Sequence, residues 1–173
     1  MTAGGILGIQ TFQTLAPLYA TEWLGLSGGG YGALIAVWGL GAVIAAYVIA
    51  WYGRGDRRPW LIAGGLGMAL MLAILSVVQV VPLAFAVAAG LGVAQIALVQ
   101  NALISVQQAA PDAMRGRVMG LYTTVFQGFS PFGALLAGVL AAILGVNGAM
   151  LLASALLALI MVLGAVALRR SEG

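Results

Sequence analysis

Long apolar stretches, separated by short segments with charged residues, Gly or Pro, make up most of this chain. A helix needs about 20 apolar residues to cross roughly 30 Å of hydrocarbon at about 1.5 Å per residue. No segment alternates polar and apolar residues as the strands of a membrane barrel do. The predicted fold is therefore an all-α integral membrane protein, a single six-helix bundle over residues 1–173. The six predicted spans are residues 3–20, 31–52, 60–79, 83–106, 117–141 and 147–168.

Composition indicates that the solvent of this protein is lipid. Of the 173 residues, 63% are hydrophobic and 6% are charged, whereas a soluble domain is about a quarter charged. The net charge of +3 does not indicate a nucleic-acid partner, because the arginines lie singly or in pairs between apolar stretches and form no basic face. We therefore expect the lipid bilayer as a partner and no nucleic acid.

The arginines fall in alternate connections between the predicted spans. Cytoplasmic loops of membrane proteins carry an excess of Lys and Arg. Glu22 is the only charged residue in the first connection, and the third and fifth connections contain no charged residue. This pattern predicts a multi-pass protein of the cell (inner) membrane with both termini in the cytoplasm, and it supports six spans. The arginines of the second and fourth connections and of the C-terminus are Arg54, Arg57, Arg58, Arg115, Arg117, Arg169 and Arg170.

Polar side chains inside the spans concentrate on the first, fourth and fifth predicted helices. Residues three, four and seven positions apart share one helix face, so the polar groups of the first helix form one stripe that ends at Pro17. The third and sixth helices have few polar groups, and the second has a stripe of Gly and Ala. The distribution predicts that helices one, two, four and five surround a central path, while three and six face mainly lipid. The candidate substrate-path residues are Gln10, Gln13, Thr14, Asn101 and Gln127.

These uncharged groups suit an uncharged or amphipathic small molecule as substrate. For any single amide, the alternative is a hydrogen bond that joins two helices. No charged residue lies in the central part of a span, so proton coupling is not visible here. The chain also lacks Cys and His. We expect no enzyme, no metal site and no cofactor, because a nucleophile with its base and the commonest metal ligands are missing.

One segment resembles a known family. Residues 111–122, with the sequence P-D-A-M-R-G-R-V-M-G-L-Y, resemble the connection between the fourth and fifth helices in the C-terminal six-helix half of the major facilitator superfamily, particularly its bacterial efflux members. The loop at residues 53–58 is a shortened likeness of the family's G-x-x-x-D-R-x-G-R-R loop. Further similarity lies in the segment Pro17-Leu18-Tyr19-Ala20 with Leu24-Gly25-Leu26, and in Gly128, Pro131, Gly133 and Gly138.

The resemblance implies alternating access, with a small solute bound near mid-membrane between two six-helix halves. One half lines one wall, so an N-terminal six-helix half is expected in the same chain, in a second copy or in a separate subunit. Met1 stands directly before the first span, which favours a fragment or a truncated gene product. The alternative function is a non-transporting helical module that pairs with another membrane protein.

The resemblance also implies gating roles for the charged residues of two cytoplasmic loops. The alternative is structural, since an Asp can cap the following helix and an Arg can anchor the membrane edge. The gating candidates are Asp56, Arg57, Asp112, Arg115 and Arg117.

Overall fold

The structure is a computed structural model that describes residues 2–52 and 57–170. These residues form helices and short connections, without a strand, so the all-α prediction is confirmed for them. A π-helical turn, Tyr19–Trp23, continues the first helix, and a 3₁₀ turn, Asp112–Met114, precedes the last. The α-helices are α1 (Thr2–Leu18), α2 (Gly28–Tyr52), α3 (Arg58–Leu75), α4 (Val81–Ala109) and α5 (Arg115–Arg170).

Proline and glycine set several helix ends. Both α3 and α4 carry a proline in the first turn, Pro59 and Pro82, where the missing N–H has no intrahelical partner to lose. α4 ends before Pro111, because the residue that precedes a proline favours extended backbone, and Ala110 adopts φ −83° and ψ 130°. Gly25 supplies the left-handed turn, with φ 63°, in the four-residue connection between the π-helical turn and α2.

Helix α5 has 56 residues and folds back on itself at Gly145. A straight helix would place residues 133 and 157 about 36 Å apart. In the structure both contact neighbouring turns of α1: a Cβ added at Gly133 would lie 3.1 Å from Gln10, and a Cβ added at Gly8 would lie 3.0 Å from Leu157. Gly145 makes this reversal with φ 74° and ψ 168°, a conformation open essentially to glycine alone. We call residues 115–144 the first arm and residues 146–170 the second arm of α5.

The predicted count of six helices is not confirmed, since the structure has five α-helices over the described ranges. The segments predicted at residues 117–141 and 147–168 are the two arms of one helix. The prediction placed a connecting loop between them, whereas a single glycine is enough to turn the chain. Other ends also differ from the prediction: α2 begins at Gly28, α3 ends at Leu75 and α4 continues to Ala109.

Four of the described helices are long and apolar enough to cross a membrane. They are Gly28–Trp51, Arg58–Leu75, Val81–Ala109 and the long segment Asp112–Ala167. α1 has 17 residues before its π-helical extension. A helix of this length rises about 26 Å, close to the hydrocarbon thickness of a bilayer.

Helix α1 contacts most of the bundle through a series of small residues. A Cβ added at Gly4 would lie 3.0 Å from Leu157 of the second arm, and one added at Gly5 would lie 2.9 Å from Leu98 of α4. Because these positions lack side chains, neighbouring helices approach the α1 backbone closely. The fully buried large side chains of α1 and its extension are Phe12, Leu15 and Tyr19.

α2 and α3 are buried to different extents within this bundle. One face of α3 is buried, including Leu61, Gly64, Met68 and Leu72, and this face contacts α4 and the second arm. In the most apolar window of each helix, 39% of α3 is buried but only 22% of α2. α2 is therefore the more exposed of the two helices within this bundle, although its polar content resembles that of α3.

The two ends of the bundle have different side-chain chemistry. At one end, Arg57 contacts Asn101, and the Arg115 Nε donates to the Gln107 carbonyl at 3.3 Å, so both arginines lie beside the C-terminal third of α4. This end gathers arginines that the sequence places in two separate connections.

At the other end, two aromatic side chains connect the extension of α1 to the segment between α3 and α4. The Tyr19 hydroxyl and the Trp23 indole N–H both donate to the Val78 carbonyl, at 2.9 Å and 3.1 Å. Glu22 lies in the same turn. The acidic first connection and the uncharged third connection therefore meet at the end opposite the arginines.

Candidate functional site

Gln10 is the predicted path residue that joins two helices. Its side-chain Nε2 donates to the Ser130 hydroxyl on the first arm of α5, one position before Pro131. Gly133 makes room for this contact, because a Cβ there would lie 3.1 Å from the Gln10 side chain. Gln10 is half-buried, so one side of it remains accessible.

Asn101 is fully buried, with 0% of its surface exposed, and its hydrogen bonds are used inside the protein. Its Nδ2 donates to the Ala97 carbonyl at 2.7 Å, and its Oδ1 accepts from Arg57 Nη1 at 3.1 Å. The Ser105 hydroxyl donates to the Asn101 carbonyl at 2.7 Å. Asn101 therefore joins the start of α3 to α4 and leaves no free group for a solute in this arrangement.

The other three path candidates are more open. Gln13 and Gln127 are exposed and Thr14 is half-buried. The stripe predicted on α1 thus begins at an interhelical contact, Gln10, and ends on the outer surface of this bundle. The structure places the five candidates in different environments, from the fully buried Asn101 to the exposed Gln13 and Gln127.

Among the gating candidates, Asp56 lies outside the described residues. Arg57 contacts Asn101, as described above. Asp112 and Arg115 form an ion pair at 2.7 Å with 89% and 51% of their side chains exposed. An exposed pair of this kind contributes about 0–1 kcal/mol. It closes the short connection before α5, and Arg117 is exposed beside it.

A groove of about 730 Å³ lies between the first arm of α5, the start of α1 and the end of α4. None of the five path candidates lines it. α1 contributes Ile6 and Leu7, and α4 contributes Val106. The first arm contributes the rest, in turns that follow helical spacing: Val118, Leu121, Tyr122, Val125, Phe126, Phe129, Phe132, Gly133 and Leu136.

Aromatic rings hold the wall of this groove. Tyr122 and Phe126 are stacked, with ring centroids 6.0 Å apart, and Phe129 and Phe132 are tilted at 6.1 Å. These distances lie in the range of favourable aromatic pairs. The Tyr122 hydroxyl is buried and has no hydrogen-bond partner among the described residues.

The sequence analysis missed this groove because it selected polar groups. The signal that could have found it is the aromatic spacing of residues 122, 126 and 129 on one face of the fifth predicted helix. The spacing predicts that these aromatic residues share one helix face, but it does not predict the cavity beside that face. Among the described residues, no group of three or more His, Cys, Asp or Glu side chains comes together to hold a metal ion.

Comparison with known proteins gives one match. The sequence profile of the family described as Major Facilitator Superfamily matches residues 1–173, the whole chain. No curated protein and no solved structure matches the chain.

Proposed function

The chain belongs to the Major Facilitator Superfamily, and we propose that it is the C-terminal six-helix half of an efflux transporter that moves a small solute by alternating access. Family membership indicates membrane transport in general, and the apolar helices indicate a multi-pass membrane protein. Members of this superfamily are transporters, which agrees with the expectation of a protein without enzymatic activity. The observation that carries the transport part of the proposal is the family match over residues 1–173, and the resemblance of residues 111–122 supports the assignment to the C-terminal half of an efflux member.

We further propose that the two arms of α5 are separate crossings, so that the chain crosses the membrane six times. A 56-residue helix would span roughly 84 Å if straight, nearly three times the hydrocarbon thickness. The reversal at Gly145 brings each arm to about one membrane thickness. Six crossings would place both termini on the side of Arg57 and Arg115, which is the cytoplasm of the cell (inner) membrane by the arginine rule.

The exposed apolar surface of α2 supports the proposal of a partner half. The exposed large side chains of α2 include Leu40, Val43, Tyr47 and Trp51, each at least 60% exposed. In alternating access the solute binds between two repeats, so part of this surface would face an N-terminal six-helix half. That half belongs to the same chain, a second copy or a separate subunit.

The topology is testable because the chain has no native cysteine. Single cysteines at Ser27, Gln79 and Leu144 are expected to react with a membrane-impermeant maleimide from outside the cell. A cysteine at Ala113 is expected to react only in everted vesicles. Labelling of position 144 from the cytoplasm alone would reject the six-crossing topology.

Transport is tested on the assembly that exists in the native membrane. An antibody to the end of the second arm is expected to detect either a band near twice 17.5 kDa or a 17.5 kDa chain that crosslinks to a partner. Everted vesicles with that assembly are then energised and loaded with N-phenyl-1-naphthylamine, ethidium or fluorescein, which are neutral, cationic and anionic. Energy-dependent movement of at least one dye supports transport. Stable pairing without any movement would instead favour the non-transporting module.

A further inference from the structure

We propose that the aromatic groove between α1 and the first arm of α5 binds an uncharged, largely apolar small molecule that carries one hydrogen-bonding group. This inference rests on the proposed transport function and names the class of its substrate. Its first support is size. Drug-sized ligands bind in cavities of roughly 300–1,000 Å³, and the groove of about 730 Å³ falls inside that range.

The lining decides the charge and polarity of the ligand. None of the described residues that line the groove is charged, and none carries an amide side chain. A charged solute would lose its hydration there without gaining a counter-charge, and a sugar would lose hydrogen bonds at most of its hydroxyls. Aliphatic and aromatic walls favour an apolar body with flat rings that stack on Phe126 or Phe129.

Tyr122 supplies the single polar position. Its hydroxyl is buried and unpaired among the described residues, which is costly unless a partner sometimes occupies the site. Two of the predicted path residues already have partners inside the protein: Gln10 donates to Ser130, and Asn101 bonds to Arg57 and to the Ala97 carbonyl. Arg57 Nε and Asn147 Oδ1 are also buried without a partner, but neither residue lines the groove. A ligand with one hydrogen-bond donor or acceptor would supply the missing partner of the Tyr122 hydroxyl. An acyl chain of a lipid could fill the groove but could not make this bond.

The test is equilibrium binding of N-phenyl-1-naphthylamine to the full chain in lipid nanodiscs, followed by the fluorescence of the dye. This probe has aromatic rings, no charge and one N–H. The matched charged probe is 8-anilinonaphthalene-1-sulfonate, which adds a sulfonate to the same skeleton. We expect the neutral probe to bind at least about tenfold more tightly, since the groove offers no partner for the sulfonate.

Two pairs of variants locate the bound probe. Leu136→Trp adds bulk inside the groove, whereas Leu135→Trp adds it at a neighbouring position that is 67% exposed and does not line the groove. We expect Leu136→Trp to weaken binding by about tenfold or more and Leu135→Trp by less than about twofold. Unchanged binding in both variants would mean that the probe dissolves in the lipid around the protein and would overturn the groove proposal.

The second pair tests the hydrogen bond. Tyr122→Phe removes the buried hydroxyl and keeps the ring, while Tyr47→Phe makes the same change at a tyrosine of α2 that is 65% exposed. We expect Tyr122→Phe to weaken binding about 2- to 10-fold and Tyr47→Phe to leave it unchanged. Because this substitution is small, it keeps the test decisive if Leu136→Trp fails to fold.

The outcomes for binding and for transport are separable. A protein that transports another dye but binds the neutral probe no differently in the Tyr122→Phe and Tyr47→Phe variants would overturn the groove proposal and leave transport standing. A protein that shows the expected binding pattern but moves no dye would retain the groove as a binding site and remove the transport function.

Discussion

The crossing of α2 with α4 is closely packed, whereas the groove between α1 and the first arm of α5 is open. At the crossing, a Cβ added at Gly41 would lie 2.8 Å from the Ala89 carbonyl carbon, and one added at Gly92 would lie 2.9 Å from the Ala42 backbone N. The two backbones therefore touch. At the groove, rings such as Phe126 and Phe129 line the first arm, and a volume of about 730 Å³ remains open between it and α1.

The difference follows from side-chain size. Helices in lipid gain little from the hydrophobic effect when they associate, so close van der Waals contact and hydrogen bonds must stabilise the pair. At the α2–α4 crossing, glycines on both helices allow close van der Waals contact. The Trp38 indole adds a hydrogen bond by donating to the Gln95 side-chain oxygen at 3.1 Å. The groove has neither along most of its length, so it remains a place where another molecule can enter.

The largest effect on stability is expected when a large side chain is placed in the α2–α4 crossing. Gly92→Leu would push a side chain into the backbone of α2 at Trp38 and Ala42, and we expect it to lower the free energy of unfolding by about 3 kcal/mol. The matched control is Gly39→Leu, since a Cβ there meets no atom within 4 Å. Denaturant titration in detergent, followed by circular dichroism, measures both. Equal stability of the two variants would contradict the closed crossing.

The next largest effect is expected at the turn that positions the first arm. Gly145→Ala forces a side chain onto a backbone with φ 74° and ψ 168°, which costs about 2 kcal/mol. Gly138→Ala lies within the first arm, where an added Cβ meets no atom within 4 Å. It is expected to be neutral or to stabilise the protein by up to about 1 kcal/mol. Thermal unfolding of both variants checks the contrast. A Gly145→Ala protein as stable as the Gly138→Ala protein would argue against the reversal.

A smaller effect is expected at the polar contact beside the groove. Ser130→Ala removes the acceptor of Gln10 between α1 and the first arm, at a cost of about 1 kcal/mol. Thr123→Ala is the control, because the Thr123 hydroxyl donates at 3.0 Å to Met119 of its own helix and is exposed. That change should stay within about 0.5 kcal/mol. The same unfolding assay distinguishes them, and equal losses would show that the Gln10 contact does not hold the two helices.

The smallest loss of stability is expected inside the groove. Tyr122→Phe breaks no hydrogen bond of the described residues and removes a buried unpaired hydroxyl, so the free energy of unfolding should not fall and should rise by up to about 1 kcal/mol. Tyr19→Phe removes a buried hydroxyl that donates to Val78 at 2.9 Å and should cost about 1 kcal/mol. Parallel melting curves test the pair. A Tyr122→Phe protein as destabilised as Tyr19→Phe would mean that the hydroxyl has a partner.

The stripe on α1 shows how far the sequence predicts the site. Helical periodicity correctly places Gln10, Gln13 and Thr14 near one another on the helix surface. It does not say which neighbour each one meets, and the structure pairs Gln10 with Ser130 while Gln13 faces outward. Asn101 shows the same limit, because its partner Arg57 is 44 positions away. Contacts of this kind depend on how whole helices are arranged.

The sequence by itself determined the helical class, the membrane environment and the family. These depend on local quantities, namely the length and apolarity of each stretch and the motif at residues 111–122. Only the tertiary structure decided that α5 turns at one glycine, that the buried Asn101 is already satisfied, and that empty space lies in front of the aromatic face of the first arm. The physical reason is that a cavity forms only where two helices lie far enough apart to leave a space. Their separation is set by the volumes of packed side chains from residues that are distant in the sequence.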